Sequence, residues 1–351
     1  MQDHSAHGPP RPHNSESDPE REFRRNVITD QWVAVAPART GRPDDFGDGS
    51  PAPPADGTPV DGCPFCPGHE DEVPHIVWEL NGREQGPADW RTRVLPNKYP
   101  ALTSDRTGRP GSEGLFQTRP GLGRQEVLVD SPIHGASPAT MPLPQVEAMV
   151  HTYRTRYRAL RRDGFVPFIF RNHGADAGAS LAHPHSQIIA TDLPPPHIEQ
   201  EERRARAHTA ETGRCAYCEM VEAERAAGSR IVNDGDAFVT FVPYAAQVPY
   251  EMWILPRRHA PEFGRLEDDR CADLARSLQT ALSALREACG DPAYNLFVRT
   301  ALEHPCDADH LHWSIRIQPR ISVDAGFELG TGLKVNPSLP ERDADVLRSA
   351  S

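Results

Sequence analysis

Nowhere in the 351 residues is there an apolar run of the about 18 residues that a membrane-spanning helix needs, so no membrane span is predicted. The first twenty residues are polar, with Pro and His among them, and lack the apolar centre of a secretion signal, which makes the cytoplasm the expected compartment. Positive charge is also short. Against 50 Asp and Glu stand 38 Lys and Arg, for a formal charge of -12, and no basic patch with interleaved aromatics occurs. Nucleic acid and anionic membrane surfaces are therefore not expected partners. A small anionic substrate stays open, because a local group of arginines and backbone N–H groups can hold one inside an acidic protein. Hydrophobic residues reach only 37%, enough for a core if the shortfall lies in loops and tails.

Proline is plentiful, at 36 residues, with much of it before residue 61. Residues 1–20 and 41–61 accordingly read as irregular or disordered. Beyond them, residues 31–36, 126–130, 166–171 and 187–190 read as strands. Residues 144–161 carry Val146, Met149, Val150, Tyr153, Tyr157 and Leu160 at helical spacing. A charged helix follows at 197–208. The second part repeats the plan, with strands at 238–242 and 252–255, a helix at 267–288, and strands at 294–298 and 312–317.

The repeat is sharpest in its ligand-type residues. First come Cys63 and Cys66, then a single His134, then His183-Pro184-His185. Then come Cys215 and Cys218, a single His259, and His310-Leu311-His312. The gap from the single His to the H-x-H is 49 residues in one part and 51 in the other. A C-x-x-C turn offers two thiolates to one tetrahedral ion, and two imidazoles complete the set. The expected sites are Cys63, Cys66, His134 and His183, and Cys215, Cys218, His259 and His310. Ligand softness points to zinc at both, with iron as an alternative at the second.

In an extended segment residues i and i+2 share a face. His183 can thus hold a metal while His185 projects beside it into a pocket, with Gln187 on the same face. A neutral imidazole is a competent nucleophile towards phosphorus, provided an acceptor, commonly a backbone carbonyl, fixes its tautomer. Gln187 can donate hydrogen bonds to phosphoryl oxygens, yet as a neutral amide it can neither activate water nor act as a general acid, which favours transfer over hydrolysis. Upstream, residues 172–180 (NHGADAGAS) form a small, glycine-rich stretch whose backbone can approach a pyrophosphate closely.

Residues 171–187 (RNHGADAGASLAHPHSQ) resemble the active-site signature of the galactose-1-phosphate uridylyltransferases, a branch of the histidine-triad superfamily. The resemblance runs from about residue 24 to residue 328. Residues 24–43 resemble the family's first strand and its nucleotide-contacting arginines, here Arg39 and Arg42. Residues 94–102 (VLPNKYPAL) resemble the segment whose Asn meets the nucleotide, here Asn97. Residues 325–328 (AGFE) resemble the sugar-contacting segment, here Phe327 and Glu328.

The resemblance implies an α+β fold of two histidine-triad-like halves, each an antiparallel sheet with flanking helices: residues 21–195 catalytic, 196–336 a degenerate copy, with tails at 1–20 and 337–351. It implies ping-pong transfer of UMP from UDP-glucose to galactose 1-phosphate. His185 would be the nucleophile, with Gln187, Asn172, Gly178 and Ser180 around the phosphates. It further implies a homodimer with sites completed across the interface. Three departures stand out. Ser186 replaces the glycine that follows the nucleophile in the best-known members. Glu201 sits where many members place a metal-ligating Glu, while Cys215 and Cys218 favour the thiolate set. A second zinc of that kind also resembles the ADP-glucose phosphorylase branch, which moves AMP from an ADP-sugar to phosphate. A non-catalytic zinc-binding module is the expectation of a different class, and it gives Gln187 and Asn172 no role.

Overall fold

The computed structural model describes residues 21–37, 59–81, 88–303 and 308–351, so the expectations for residues 1–20 and for most of 41–61 lie outside it. In chain order the strands are β1 (Glu22–Arg25), β2 (Trp32–Val35), β3 (Trp78–Asn81), β4 (Trp90–Pro96), β5 (Gly111–Glu113), β6 (Phe116–Thr118), β7 (Gly123–Val129), β8 (Val166–His173) and β9 (His185–Thr191). They continue as β10 (Ile231–Asp234), β11 (Phe238–Phe241), β12 (Met252–Pro256), β13 (Tyr294–Arg299), β14 (Ser314–Pro319) and β15 (Lys334–Asn336). The helices are α1 (Leu143–Arg162), α2 (Pro196–Thr212), α3 (Ala216–Ala227), α4 (Asp268–Cys289), α5 (Gly326–Thr331) and α6 (Pro340–Ser349).

Ten strands make one sheet in the order β10-β11-β12-β14-β13-β8-β9-β7-β4-β3. Read from each edge to the centre, the order is the same twice: β3-β4-β7-β9-β8 against β10-β11-β12-β14-β13. The two sets meet where β8 and β13 pair antiparallel, Tyr294 opposite His173 and Asn295 opposite Asn172. Within each set the chain runs from a strand through a long helix, α1 or α4, to the central hairpin. The fold is thus mixed α+β, with antiparallel pairing throughout this sheet and helices against it.

The α1 helix begins with Pro144 in its first turn and ends with Arg161 and Arg162 where the helix dipole favours cations. All six apolar residues at its helical spacing are at most 1% exposed. They pack with Ile169, Ile188 and Ala190 of the sheet and with Leu274, Leu278, Leu282 and Leu285 of α4 in one continuous core. Each such burial contributes about 1.5–3 kcal/mol. Asp268 and Asp269 open α4, and Gly290, at φ 71°, closes it in the left-handed conformation that glycine adopts freely.

Residues 337–351, which read as a tail in the sequence, carry α6, whose Ala344 and Leu347 are fully buried in the same core. Glu341 on α6 accepts from both Arg24 at 2.9 Å and Arg230 at 2.7 Å, tying β1 and the second set together. Close by, β15 runs parallel to β2.

Between the halves, Gly264 lies against the Tyr157 ring: a Cβ there would stand 2.7 Å from Tyr157 Cε1 and 2.9 Å from Cδ1. Tyr157 is 1% exposed and has no room to retreat. Gly264→Ala is expected to lower unfolding stability by about 1–3 kcal/mol, read as a fall in denaturant midpoint at constant slope. An unchanged midpoint would contradict this packing.

Candidate active site and metal clusters

Strand β9 alternates. Ser186, Ile188 and Ala190 face the α1 side and are buried, whereas His185, Gln187 and Ile189 face the other side. Pairing with β7 sets Val129 opposite His185 and Val127 opposite Gln187, and pairing with β8 sets Phe170 opposite Gln187. His185 Nδ1–H donates to the His183 carbonyl at 2.8 Å, the tautomer-fixing contact expected from sequence. Its Nε2 is thereby left as the basic nitrogen. Burial lowers the His185 pKa, partly opposed by that hydrogen bond and helped by the charge of Arg171, so the ring is neutral at pH 7.

Gln187 is oriented from the side. Its Oε1 accepts from Gln125 Nε2 at 3.2 Å, which leaves the donating end of the Gln187 amide unengaged on the His185 face among the described residues. Gln125 is itself pinned: its side-chain oxygen accepts from Ala101 N at 3.0 Å, and its carbonyl accepts from Asn97 N at 2.8 Å. Sequence reading missed Gln125. The signal was its place in β7, directly across from β9. Asn97 therefore joins the group through its backbone, while its Oδ1 accepts from Tyr99 N at 2.8 Å.

Asn172, next to last in β8, lies beside this group, and its Oδ1 accepts from Asn295 of β13 at 2.9 Å. The same Asn295 amide donates to Ala177 O at 2.9 Å, so the second half anchors the glycine-rich loop. Gly174 and Gly178 hold φ of 80° and 87°, and a Cβ on Gly174 would lie 2.8 Å from that of Ala293. Ser180 is exposed at the loop's far end.

The first cluster gathers Cys63, Cys66, His134 and His183, all four buried, with their ligand atoms within 4.8 Å of one another. His134 Nδ1 lies 3.4 Å from Cys66 Sγ, and His183 Nδ1 lies 3.5 Å from Cys63 Sγ and 3.6 Å from Cys66 Sγ. Tetrahedral zinc bonds of about 2.3 Å to sulfur and 2.0–2.1 Å to nitrogen place S and N at about that separation. The His183 Nε2–H donates to Ser131 O at 2.8 Å, which reserves Nδ1 for an ion. Burial drives His183 down to about 4, while burial and the neighbouring Cys66 push the Cys63 thiol up to about 11. A divalent cation reverses that cost by binding the thiolate. Phe65, between the two cysteines, packs its ring 5.7 Å from His185 and 5.9 Å from His183. The cysteine turn is thus built directly against the candidate nucleophile.

The second cluster corrects the expected ligand set: it joins Cys215, Cys218 and His259 to His312, not to His310. Cys218 Sγ lies 3.4 Å from His259 Nδ1 and 3.6 Å from His312 Nδ1. The reason is register. Strand β14 starts at Ser314, two residues after His312, as β9 starts at His185, two residues after His183. Ligand matches ligand only on that alignment. His310 instead turns its backbone carbonyl towards Cys215 Sγ at 3.8 Å. Hydrogen bonding with Cys218, and then with His259 and His312, holds the Cys215 thiol below its ordinary value against the opposing cost of burial.

The same register explains why the second half cannot copy the first. Ser314 occupies the place of His185, and Arg316 that of Gln187. Arg316 is fully buried and donates to Glu201 of α2 at 3.0 and 2.7 Å, over the Trp253 ring. Glu201 serves that ion pair and is not drawn into the metal cluster.

With this geometry in place, the family model for the N-terminal domain of galactose-1-phosphate uridyl transferase matches residues 13–195. The chain belongs to the galactose-1-phosphate uridylyltransferase family. It is 31% identical to an ADP-glucose phosphorylase of Arabidopsis thaliana over 337 residues, 94% of this chain and 93% of that one. It is 29% identical to a galactose-1-phosphate uridylyltransferase of Thermotoga maritima, over 93% and 98%. The crystal structure of an Arabidopsis thaliana ADP-glucose phosphorylase with bound ADP-glucose superposes with a TM-score of 0.79 at 30% identity, covering 95% of this chain and all of that one. This member of the uridylyltransferase family is therefore a nucleotidyltransferase by family.

Of the family-type contact residues, Arg39 and Arg42 lie outside the described residues. Phe327, 54% exposed, and Glu328, accepting from Ala325 N at 3.0 Å, sit on α5. Among the described residues no hydrogen bond links either to the His185 group. His312→Ala is expected to remove one equivalent of bound metal, and His310→Ala none, as read by metal content per chain. The reverse pattern would restore the ligand set expected from sequence.

Proposed function

We propose that this protein transfers a nucleoside monophosphate from a nucleotide sugar to a phosphate-bearing acceptor through a covalent nucleotidyl group on His185. The observation that carries the reading is the His185 ring itself: buried, pushed towards its neutral form, with Nδ1 engaged by the His183 carbonyl and Nε2 without a hydrogen bond among the described residues on the face that holds Gln187. In the first half-reaction Nε2 attacks the α-phosphorus. The N–P bond forms as the bond from phosphorus to the bridging oxygen breaks, and sugar 1-phosphate departs. In the second, an acceptor oxygen attacks the same phosphorus and Nε2 leaves with its electron pair. Gln187, its carbonyl held by Gln125, donates to the phosphoryl oxygens as charge grows there. The backbone of residues 174–178 supplies the close approach that a pyrophosphate needs.

The thiolate and imidazole donors support zinc in both clusters, with iron the alternative at the second. An ion held by Cys63, Cys66, His134 and His183 would stabilise the cysteine turn and the start of β9, a structural contribution.

Two donors fit. UDP-glucose with galactose 1-phosphate as acceptor is the pair read from sequence, and the Thermotoga maritima relative, matched over 98% of its length, supports it. ADP-glucose with phosphate as acceptor is favoured by the likeness to the Arabidopsis thaliana ADP-glucose phosphorylase and by the cysteine pair in the second cluster. A homodimer would bring the exposed α5 residues Phe327 and Glu328 to a partner's site.

Incubating the protein with each nucleotide sugar and no acceptor, then quenching in base for intact mass, separates the donors by the added uridylyl or adenylyl group. The adduct is expected in the wild type and absent from His185→Ala at unchanged metal content. Modified His185→Ala protein would overturn the assignment. Gln187→His is expected to shift the intermediate towards hydrolysis, measured as free nucleoside monophosphate against transfer product. An unchanged partition would remove the amide from the mechanism.

A further inference from the structure

A buried ion pair lies directly behind β9, on the side away from the open face. Asp130 is 1% exposed and Arg171 is 3% exposed, and the two are bonded through Arg171 Nη1 and Asp130 Oδ2. Two charges so deeply buried contribute little net stability, because desolvation offsets their attraction; an apolar pair of similar volume serves a core as well or better. What the pair touches accounts for it. Arg171 Nη1 also donates to the His185 carbonyl at 3.3 Å. Ser186 Oγ donates to Asp130 Oδ2 at 2.8 Å and shares a second hydrogen bond with the Tyr153 hydroxyl of α1. The Asp130 N–H donates to Pro184 O at 2.9 Å, and the next carbonyl, that of Ser131, receives His183 Nε2. Gln145 of α1 in turn holds the Asp130 carbonyl at 2.7 Å.

Four consecutive residues, His183 to Ser186, are thus each held by Asp130, by Ser131, or by the arginine that Asp130 binds. We propose that Asp130 and Arg171 are positioning residues: they fix the backbone carbonyls and peptide planes around His185, so that its ring stays on the His183 carbonyl and Nε2 stays aimed at the open face. Ser186 is the side-chain contact that locks Asp130 to the strand. Neither Asp130 nor Arg171 touches a reacting atom. The inference rests on His185 as the transferring group.

The test is the metal-replete double variant Asp130→Leu/Arg171→Met, in which an apolar pair replaces the charged one and keeps the core filled. Two quantities are read: the tautomer of His185, by nitrogen-15 NMR of histidine-labelled protein assigned against His185→Gln, and the single-turnover rate of adduct formation. A purely structural pair would leave both where they were once fold and metal content are intact. The positioning role predicts loss of the single Nδ1–H tautomer and adduct formation slower by about tenfold or more, the scale of a small misplacement of a reacting group. A pure Nδ1–H tautomer with a rate within about twofold of wild type would overturn the proposal. Should the double variant fail to fold, Ser186→Ala, which removes one hydroxyl, decides by the same two readings in the same directions. If the wild type forms no adduct with either nucleotide sugar, it is the transfer reading that fails, and the tautomer alone then judges the positioning.

Discussion

One hydrogen bond governs this molecule: the Nδ1–H of His185 on the carbonyl of His183, 2.8 Å away. It decides which ring nitrogen is basic and which way it faces. The bond exists because two histidines two residues apart share a face of one extended stretch, one reaching the thiolate cluster and the other projecting beside it on the open sheet face. Everything nearby serves to hold that pair. The cysteine turn at residues 63–66 grips His183 and lays Phe65 against both rings. From β7, Gln125 turns the neighbouring Gln187 so that it donates.

The mirrored strand order shows what one half does for the other. The second half keeps the helix, the hairpin and a four-ligand cluster, yet its counterpart of His185 is Ser314 and its counterpart of Gln187 is an arginine neutralised by Glu201. Its contribution to the first half is mechanical: β13 pairs with β8, and Asn295 holds both Asn172 and the glycine-rich loop. On the proposed reading, one half does the chemistry and the other braces it.

How much of this is legible in the sequence depends on whether a feature is local. The apolar face of α1 and the place of His185 beside Gln187 can be read because each is a short-range pattern of spacing, and the first cluster can be read because C-x-x-C and H-x-H mark its ligands even though they lie 68 to 120 residues apart. Matching His183-Pro184-His185 residue for residue to His310-Leu311-His312 makes His310 the second cluster's ligand, whereas β14 begins two residues after His312 as β9 begins two residues after His183, so the structural match is offset by two and falls on His312. Gln125, Asp130 and Arg171 escape notice for a different reason. They act across strands, on partners 14 to 62 residues away, and no motif marks such pairs. The α6 helix, at a terminus rich in charge, resembles a tail because its buried face amounts to a few small or aliphatic side chains.

The central claim is that His185 carries the nucleotide between two displacements, and stereochemistry at the α-phosphorus tests it most directly. With a donor made chiral at that phosphorus by sulfur and oxygen-isotope substitution, each in-line attack inverts the configuration. A covalent relay on His185 predicts overall retention in the transfer product. Inversion would mean that the acceptor attacks the donor in a single step, and the relay on His185 would be contradicted.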